Sequence, residues 1–394
     1  MSAVALTLVT GCEAIYTCDG SNPDGQAILI GGRHVLGLLL PPQADALAAA
    51  LPSLTQLDAT GLIAVPGFVD MHVHAAGGGG EAGPSSRTPE AQLSELLRAG
   101  ITTVVGTTGT DSVSRSQDNL VAKVRALSAD GITALSWCGS YRLPPATATG
   151  SVQRELCLID SCIGVGEVAV SDHRGSAPTP HELARLGLEA RVGGMLGGKA
   201  GLVHCHLGPG AGRLRPLRDA LACAAGDLPI TTFHPTHMDR RQALWVLIAG
   251  SASCREVLRQ YRAQQVTLAG VTVSSDAYGS LPVFDERGQL IGYDVADPGV
   301  MLRFLQAMCC EEGWQLEEVL PLMTANPARI LKLPSKGRIA VGCDADILLL
   351  QKDTLELQYV ISKGEIVKTP EWVRGSMFER GPGIRPRSPQ TVGV

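Results

Sequence analysis

The sequence predicts an α/β protein: a (β/α)8 TIM-like barrel, with a small flanking β-sandwich domain made from both termini. Three observations carry this prediction. Through the middle of the chain, short apolar runs alternate with helical segments and begin roughly 30 to 40 residues apart, as strand–crossover–strand units do. Hydrophobic residues make up 45% of the 394 but aromatic ones only 4%, which suits a layered core of Val, Leu, Ile and Ala. At both ends, short strands punctuated by Gly, Asn and Asp give the pattern of an antiparallel sheet.

Taken in order, residues 4–10 (VALTLVT), 14–17 and 27–30 (AILI) read as strands separated by DGSNPDG and GG. They predict one half of the small domain, residues 1–65. The barrel is expected over 66–335. Its first strand, LIAVPGFVDMHVH, precedes TPEAQLSELLRAG, where Thr88 can cap a helix, Pro89 take its first position and Gly100 end it. ITTVVGT, ITALSWC, CIGVGEVAVS, GLVHCHLG, LPITTFH and GVTVSSD follow, with helical segments between most of them. Continuous apolar strands joined by crossovers imply a parallel sheet covered on both faces. The count comes to seven rather than eight. Either LWVLIAG at 244–250 is a cramped seventh strand, or that strand is missing and the barrel is distorted. GRIAVGCDADILLL, ELQYVISKG and EIVKTPEWV supply the other half of the small domain at 336–380, and the Pro- and Gly-rich stretch 381–394 is expected to be a disordered tail.

Charge and leader patterns exclude some functions. The net charge of −5 is spread along the chain without a basic block, so neither nucleic acid nor an anionic membrane is an expected partner. The start MSAVALTLVTGCEAIYTCDG has no basic region of a signal peptide, and no later apolar run reaches the length of a membrane span. The eleven cysteines are scattered, which predicts reduced thiols and a cytoplasmic location.

The chemistry lies at the predicted strand ends. Side chains two apart on a strand share a face, so His72 and His74 in HVH both point into the mouth of the barrel. Alone they are half a metal site, and surface or core histidines are the commoner explanation. The other strand ends change that balance. Glu167 lies on the fourth strand, His204 and His206 on the fifth, His234 and His237 follow the sixth, and Asp276 ends the last. Imidazoles and carboxylates converging on one mouth suit Zn²⁺ and related divalent ions.

With HxH after strand one, His on strands five and six and Asp on the last, the chain resembles the binuclear-metal amidohydrolase superfamily. PGFVDMHVHAAGGGGEAGPSSRTPE, GTTGTDS, GSYRLP, SDHR, RVGGMLGGKAG, PTHMDR and SSDAYGS resemble, within it, the isoaspartyl dipeptidase family, over roughly residues 60–350. The resemblance implies two Zn²⁺ per chain, or Co²⁺ or Mn²⁺ in their place. His72, His74 and Asp276 would hold one ion, and His206 and His237 the other. Glu167 stands where the family has a bridging carboxylated lysine; it offers the same two oxygens on a shorter arm. His204 reads as a neighbour of the site rather than a ligand.

The resemblance further implies hydrolysis of β-aspartyl (isoaspartyl) dipeptides, with Asp276 and Tyr141 as catalytic residues. Metal coordination lowers the pKa of water from about 15.7 to roughly 7, giving a hydroxide that attacks the amide. Asp276 would take the proton and deliver it to the leaving amine, while Tyr141 donates to the developing oxyanion. Read without the resemblance, Tyr141 is an interface tyrosine beside Pro144. Glu81 would bind the substrate ammonium; Arg174, Arg240 and Ser280 its carboxylates; Thr110 and the backbone of Gly79 would make further contacts. A small dipeptide is then the partner, and a homo-oligomer the expected assembly. Two other readings stay open: a different amidohydrolase acting on cyclic amides or N-acyl amino acids, and a non-catalytic amidohydrolase-fold interaction protein.

Overall fold

A computed structural model describes residues 5–20, 27–238, 246–248, 252–287 and 289–387. At its centre is a curled parallel sheet of six strands: β1 (Phe68–Val73), β2 (Ile101–Gly106), β3 (Thr133–Cys138), β4 (Cys162–Val170), β5 (Val203–Leu207) and β6 (Phe233–Thr236), paired in sequence order. Every residue of β1, β2, β4 and β5 is buried, as expected of parallel strands covered on both faces. Two further strands, β7 (Val246–Ile248) and β8 (Thr272–Ser274), form a parallel pair. Just beyond β8, the Ala277 carbonyl accepts from His74 N at 2.8 Å, and a parallel bridge joins Val73 to Ala277. The sheet's first edge therefore meets the strand pair, giving a TIM-like barrel.

The seventh strand is thus present inside LWVLIAG. The compression lies before it: only residues 237–245 separate β6 from β7, whereas a parallel crossover normally takes a dozen or more. A helix follows β7 at Ala252–Ala263. After β8 comes an antiparallel hairpin, Ser280–Phe284 with Leu290–Val295, that the strand count did not anticipate.

Local rules explain several helix ends. Ser116 accepts from Asn119 N ahead of Gln117–Asp130, and Gly131, at φ +128°, ends that helix. Thr179 and Glu182 form a capping box around Pro180 at the start of Pro180–Gly197. The helix after β1 departs from expectation, beginning at Leu93 rather than behind Thr88. Thr88 Oγ1 instead accepts from Gly78 N (2.7 Å) and donates to the Tyr278 carbonyl (2.6 Å). The helix's first amides, Leu93 N and Ser94 N, donate to the Glu379 carboxylate at 2.8 and 3.0 Å.

Two other sheets use the ends of the chain. One orders His34–Leu39, Ala27–Gly31, Leu6–Thr10 and Thr55–Asp58; the other runs through Ala14–Ile15, Leu62–Pro66, Ile347–Gln351, Leu357–Ser362, Glu365–Lys368, Val373–Gly375 and Ile384–Pro386. Val9, Ile28, Ile30, Ala64, Ile347 and Leu349 share one apolar cluster between them. The stretch expected to be a disordered tail departs from that reading at Ile384–Pro386, which pairs in parallel with Val373–Gly375. Backbone hydrogen bonding there outweighs the breaker composition; residues 388–394 lie outside the described residues. Among the described residues no helix is long and apolar enough to cross a membrane.

A charge cluster ties these sheets together. Asp344, 4% exposed, accepts from Arg33 Nε (2.8 Å) and Nη2 (3.0 Å) and pairs with Lys336 Nζ at 2.9 Å. Burial would raise its carboxyl, but Arg33 and Lys336 hold it down to about 2. A depressed folded-state value contributes stability that is present above the unfolded value of about 3.9 and lost as pH falls through the folded one. The wild-type chain is therefore expected to lose about 2 kcal/mol between pH 4 and pH 2 that Asp344→Asn does not lose, measured as the difference between their urea-unfolding curves.

Candidate metal centre and active site

β1 delivers His72 and His74 to the mouth together, and Asp70 fixes their backbone. Its buried carboxylate accepts from His72 N at 3.1 Å and from Ser275 Oγ, joining the ends of β1 and β8. Burial pushes this carboxyl up to about 6 against those hydrogen bonds. The His74 ring sits among glycines. A Cβ on Gly109 would lie 2.9 Å from His74 Cε1, and one on Gly279 2.9 Å from Asp276 Oδ1. Part of the glycine content therefore makes room for the imidazole, beside any room it leaves for a ligand.

Two groups of side chains hold ligand atoms close enough for a metal ion: His72, His74 and Asp276, and His72, Glu167 and His237. Asp276 Oδ1 lies 3.2 Å from both His72 Nε2 and His74 Nε2. Glu167 Oε2 is 3.3 Å from His72 Nε2, while its Oε1 is 3.3 Å from His237 Nε2 and 2.8 Å from His206 Nδ1. His206 thus joins the second group through Glu167. All of these residues are buried. His237 and Asp276 both have left-handed backbone, at φ +58° and +57°, a strained conformation typical of functional sites.

The donor set fits a divalent cation. His72 Nε2 and Glu167 Oε2 are fully buried and, although 3.3 Å apart, neither makes a well-formed hydrogen bond among the described residues, which would be costly unless something else satisfies them. Imidazole and carboxylate are the ligands zinc and similar ions prefer. Burial would raise both carboxyls, yet His72 and His206 hold Glu167, and His72, His74 and His237 hold Asp276, well below the usual carboxylate range. Both are ionised at neutral pH. Burial, reinforced by Glu167, pushes the Tyr141 phenol well above its ordinary value, so it remains a donor; its hydroxyl lies 2.8 Å from His206 Nδ1.

Asp172 is a residue that the sequence reading passed over. Its buried carboxylate lies 3.0 Å from His206 Nε2 and accepts from Arg174 Nη2 at 2.8 Å and Nε at 3.0 Å. The signal was present in SDHR, two residues before Arg174, but a loop carboxylate with no periodicity does not stand out. His206 and Arg174 hold it well below the carboxylate range against desolvation.

Glu81 is the hub of the outer site. Its carboxylate accepts from Thr110 Oγ1 (3.1 Å) and Ser280 Oγ (3.1 Å) and pairs with Arg174 Nη1 at 3.5 Å. Gly79 stands at the turn leading to it, with φ +74° and no space for a Cβ, which would meet Ser86 O at 2.4 Å. Arg240 lies outside the described residues. His204, expected as a neighbour, is buried behind His72, with His234 beyond it; burial keeps the His234 imidazole down at about 3.

The amidohydrolase family profile matches residues 251–367. A crystal structure of β-aspartyl dipeptidase from the thermophilic, keratin-degrading Fervidobacterium islandicum AW-1, in complex with the β-Asp-Leu dipeptide, is 36% identical and covers 95% of this chain and 100% of its own, with a TM-score of 0.85. A second structure of β-aspartyl dipeptidase from the same source gives 35% identity, the same coverage and a TM-score of 0.84. N-acetylglucosamine-6-phosphate deacetylase from Pasteurella multocida, 14% identical over 92% of this chain and 99% of its own with a TM-score of 0.61, shares the fold.

Proposed function

We propose that this chain, which belongs to the β-aspartyl dipeptidase family of the amidohydrolase superfamily, hydrolyses β-aspartyl (isoaspartyl) dipeptides with two zinc ions. The observation that carries this reading is the convergence of Glu81, Thr110, Ser280 and Arg174 beside the buried ligand cluster. A β-aspartyl dipeptide carries one ammonium and two carboxylates, and this mouth offers a carboxylate and a guanidinium to match. Cyclic amides and N-acyl amino acids lack the ammonium, and a non-catalytic scaffold has no need of the ligands.

On this reading His72, His74 and Asp276 would hold one ion and His206 and His237 the other, with Glu167, which lies between the two groups, serving both. Divalent ions bound there would supply a lowered water pKa, from about 15.7 to roughly 7, and Lewis-acid polarisation of a carbonyl. Ionised Asp276 takes a proton from the attacking water and passes it to the leaving amine. Protonated Tyr141 donates to the developing oxyanion. Glu81 receives the ammonium, Arg174 and Arg240 with Ser280 hold carboxylates, and Thr110 and the backbone of Gly79 make further contacts. The fold supporting this is read as a (β/α)8 barrel over 66–335, with a β-sandwich from 1–65 and 336–380. The protein is read as a cytoplasmic homo-oligomer.

Zinc-loaded protein is expected to release aspartate from β-Asp-Leu and not from α-Asp-Leu in an amino-acid release assay. Absence of turnover with zinc, cobalt and manganese alike overturns the reading. Glu81→Gln removes one charge-assisted contact, worth about 1.5–3 kcal/mol. It is expected to raise KM for β-Asp-Leu by about 10- to 100-fold while zinc content stays at the wild-type level.

A further inference from the structure

Behind His72 stand two buried imidazoles, His204 and His234, with no part in the chemistry above. His72 Nδ1 is 2.8 Å from His204 Nε2, and His204 Nδ1 is 3.3 Å from His234 Nδ1. All three are nearly inaccessible, at 0%, 0% and 5% exposure. His204 and His234 are partners across the β5–β6 register, which brings the two side chains together. The Trp137 ring stacks on His204 at 4.9 Å and 7°, and Trp137 Nε1 donates to the Met71 carbonyl at 2.9 Å. The His204 plane is thereby clamped to the β1 strand that carries His72.

The two nitrogens of a neutral imidazole have opposite roles, one donor and one acceptor. His72 Nε2 faces Glu167 and Asp276, so a metal ligand there needs a lone pair on Nε2 and a proton on Nδ1. Among the described residues that proton has one recipient in reach, His204 Nε2. His204 must then carry its own proton on Nδ1, and His234 Nδ1 must accept it. We propose that His204 and His234 are positioning residues that lock His72 in the Nδ1-protonated tautomer and so keep its Nε2 lone pair available to the metal. The arrangement differs from that at His206, whose Nε2 meets the Asp172 carboxylate. A carboxylate raises the basicity of the imidazole it supports; a neutral imidazole fixes direction without adding charge.

The inference rests on His72 being a metal ligand, and zinc affinity measured by competition with a chromogenic chelator separates the two claims. His204→Phe keeps a ring against Trp137 but offers no acceptor, and is expected to bind zinc about 10- to 100-fold more weakly than wild type. His204→Gln restores an acceptor oxygen and is expected to recover most of that loss. Wild-type affinity in His204→Phe, or equal losses in the two variants, overturns the tautomer lock but leaves the metal site standing. A wild-type chain that binds no zinc removes the ligand reading itself. If His204→Phe does not fold, nitrogen-15 spectra of histidine-labelled, zinc-loaded wild-type protein decide the matter. Protons on Nδ1 of both His72 and His204 are expected, and an Nε2-protonated His204 overturns the lock.

Discussion

Asp276→Asn is expected to lower kcat on β-Asp-Leu by about a thousand- to ten-thousand-fold, at the upper end of what general acid–base groups contribute. Asparagine keeps the size of the side chain and tolerates the left-handed backbone found at this position, so the chain should fold. What it loses is the charge. The carboxylate oxygen 3.2 Å from both His72 and His74 no longer binds a cation strongly or accepts a proton from the attacking water. Steady-state kinetics of the zinc-loaded variant, with zinc content measured on the same sample, check this. A variant within tenfold of wild type would falsify the role assigned to Asp276.

Glu167→Gln is the second large effect. Glu167 is the sole described carboxylate placed between His72 on one side and His206 and His237 on the other. Glutamine keeps one oxygen but presents an amide N–H₂ in place of the other, and donors repel a cation. Elemental analysis is expected to show zinc falling from two ions per chain to one or fewer. Turnover should drop by at least about a hundred-fold, since a lost metal contribution is worth several kcal/mol. Full zinc content in this variant would show that the histidines suffice and that the bridge is dispensable.

What was legible in the sequence follows from periodicity. HVH at a strand end placed His72 and His74 on one face because strand geometry leaves no other choice, and short apolar runs at strand–crossover spacing marked β1 to β6 and β8. What was not legible depends on partners far along the chain. The helix at Leu93–Arg98 is capped by Glu379, so the local signal at Thr88 pointed to the wrong start. β7 is no shorter than β8, but it follows β6 after residues 237–245 alone, too few for the strand–crossover spacing that marked the others. The hairpin after β8 exposes Leu290 and Ile291, so its apolar residues do not report a core. Asp172 became visible only when the fold brought His206 and Arg174 to either side of it.

Asp172 also gives the site a property that neither of its neighbours has alone. One carboxylate holds both the His206 imidazole and the Arg174 guanidinium. On the proposed reading a load on either arm would be felt by the other: an ion held by His206 would narrow the orientations open to Arg174, and a dipeptide anchored on Arg174 would slow the escape of that ion. Linkage requires the two affinities to rise by the same factor. Substrate would then serve as a keeper of the metal it needs, and chelators are expected to strip the idle enzyme faster than the working one.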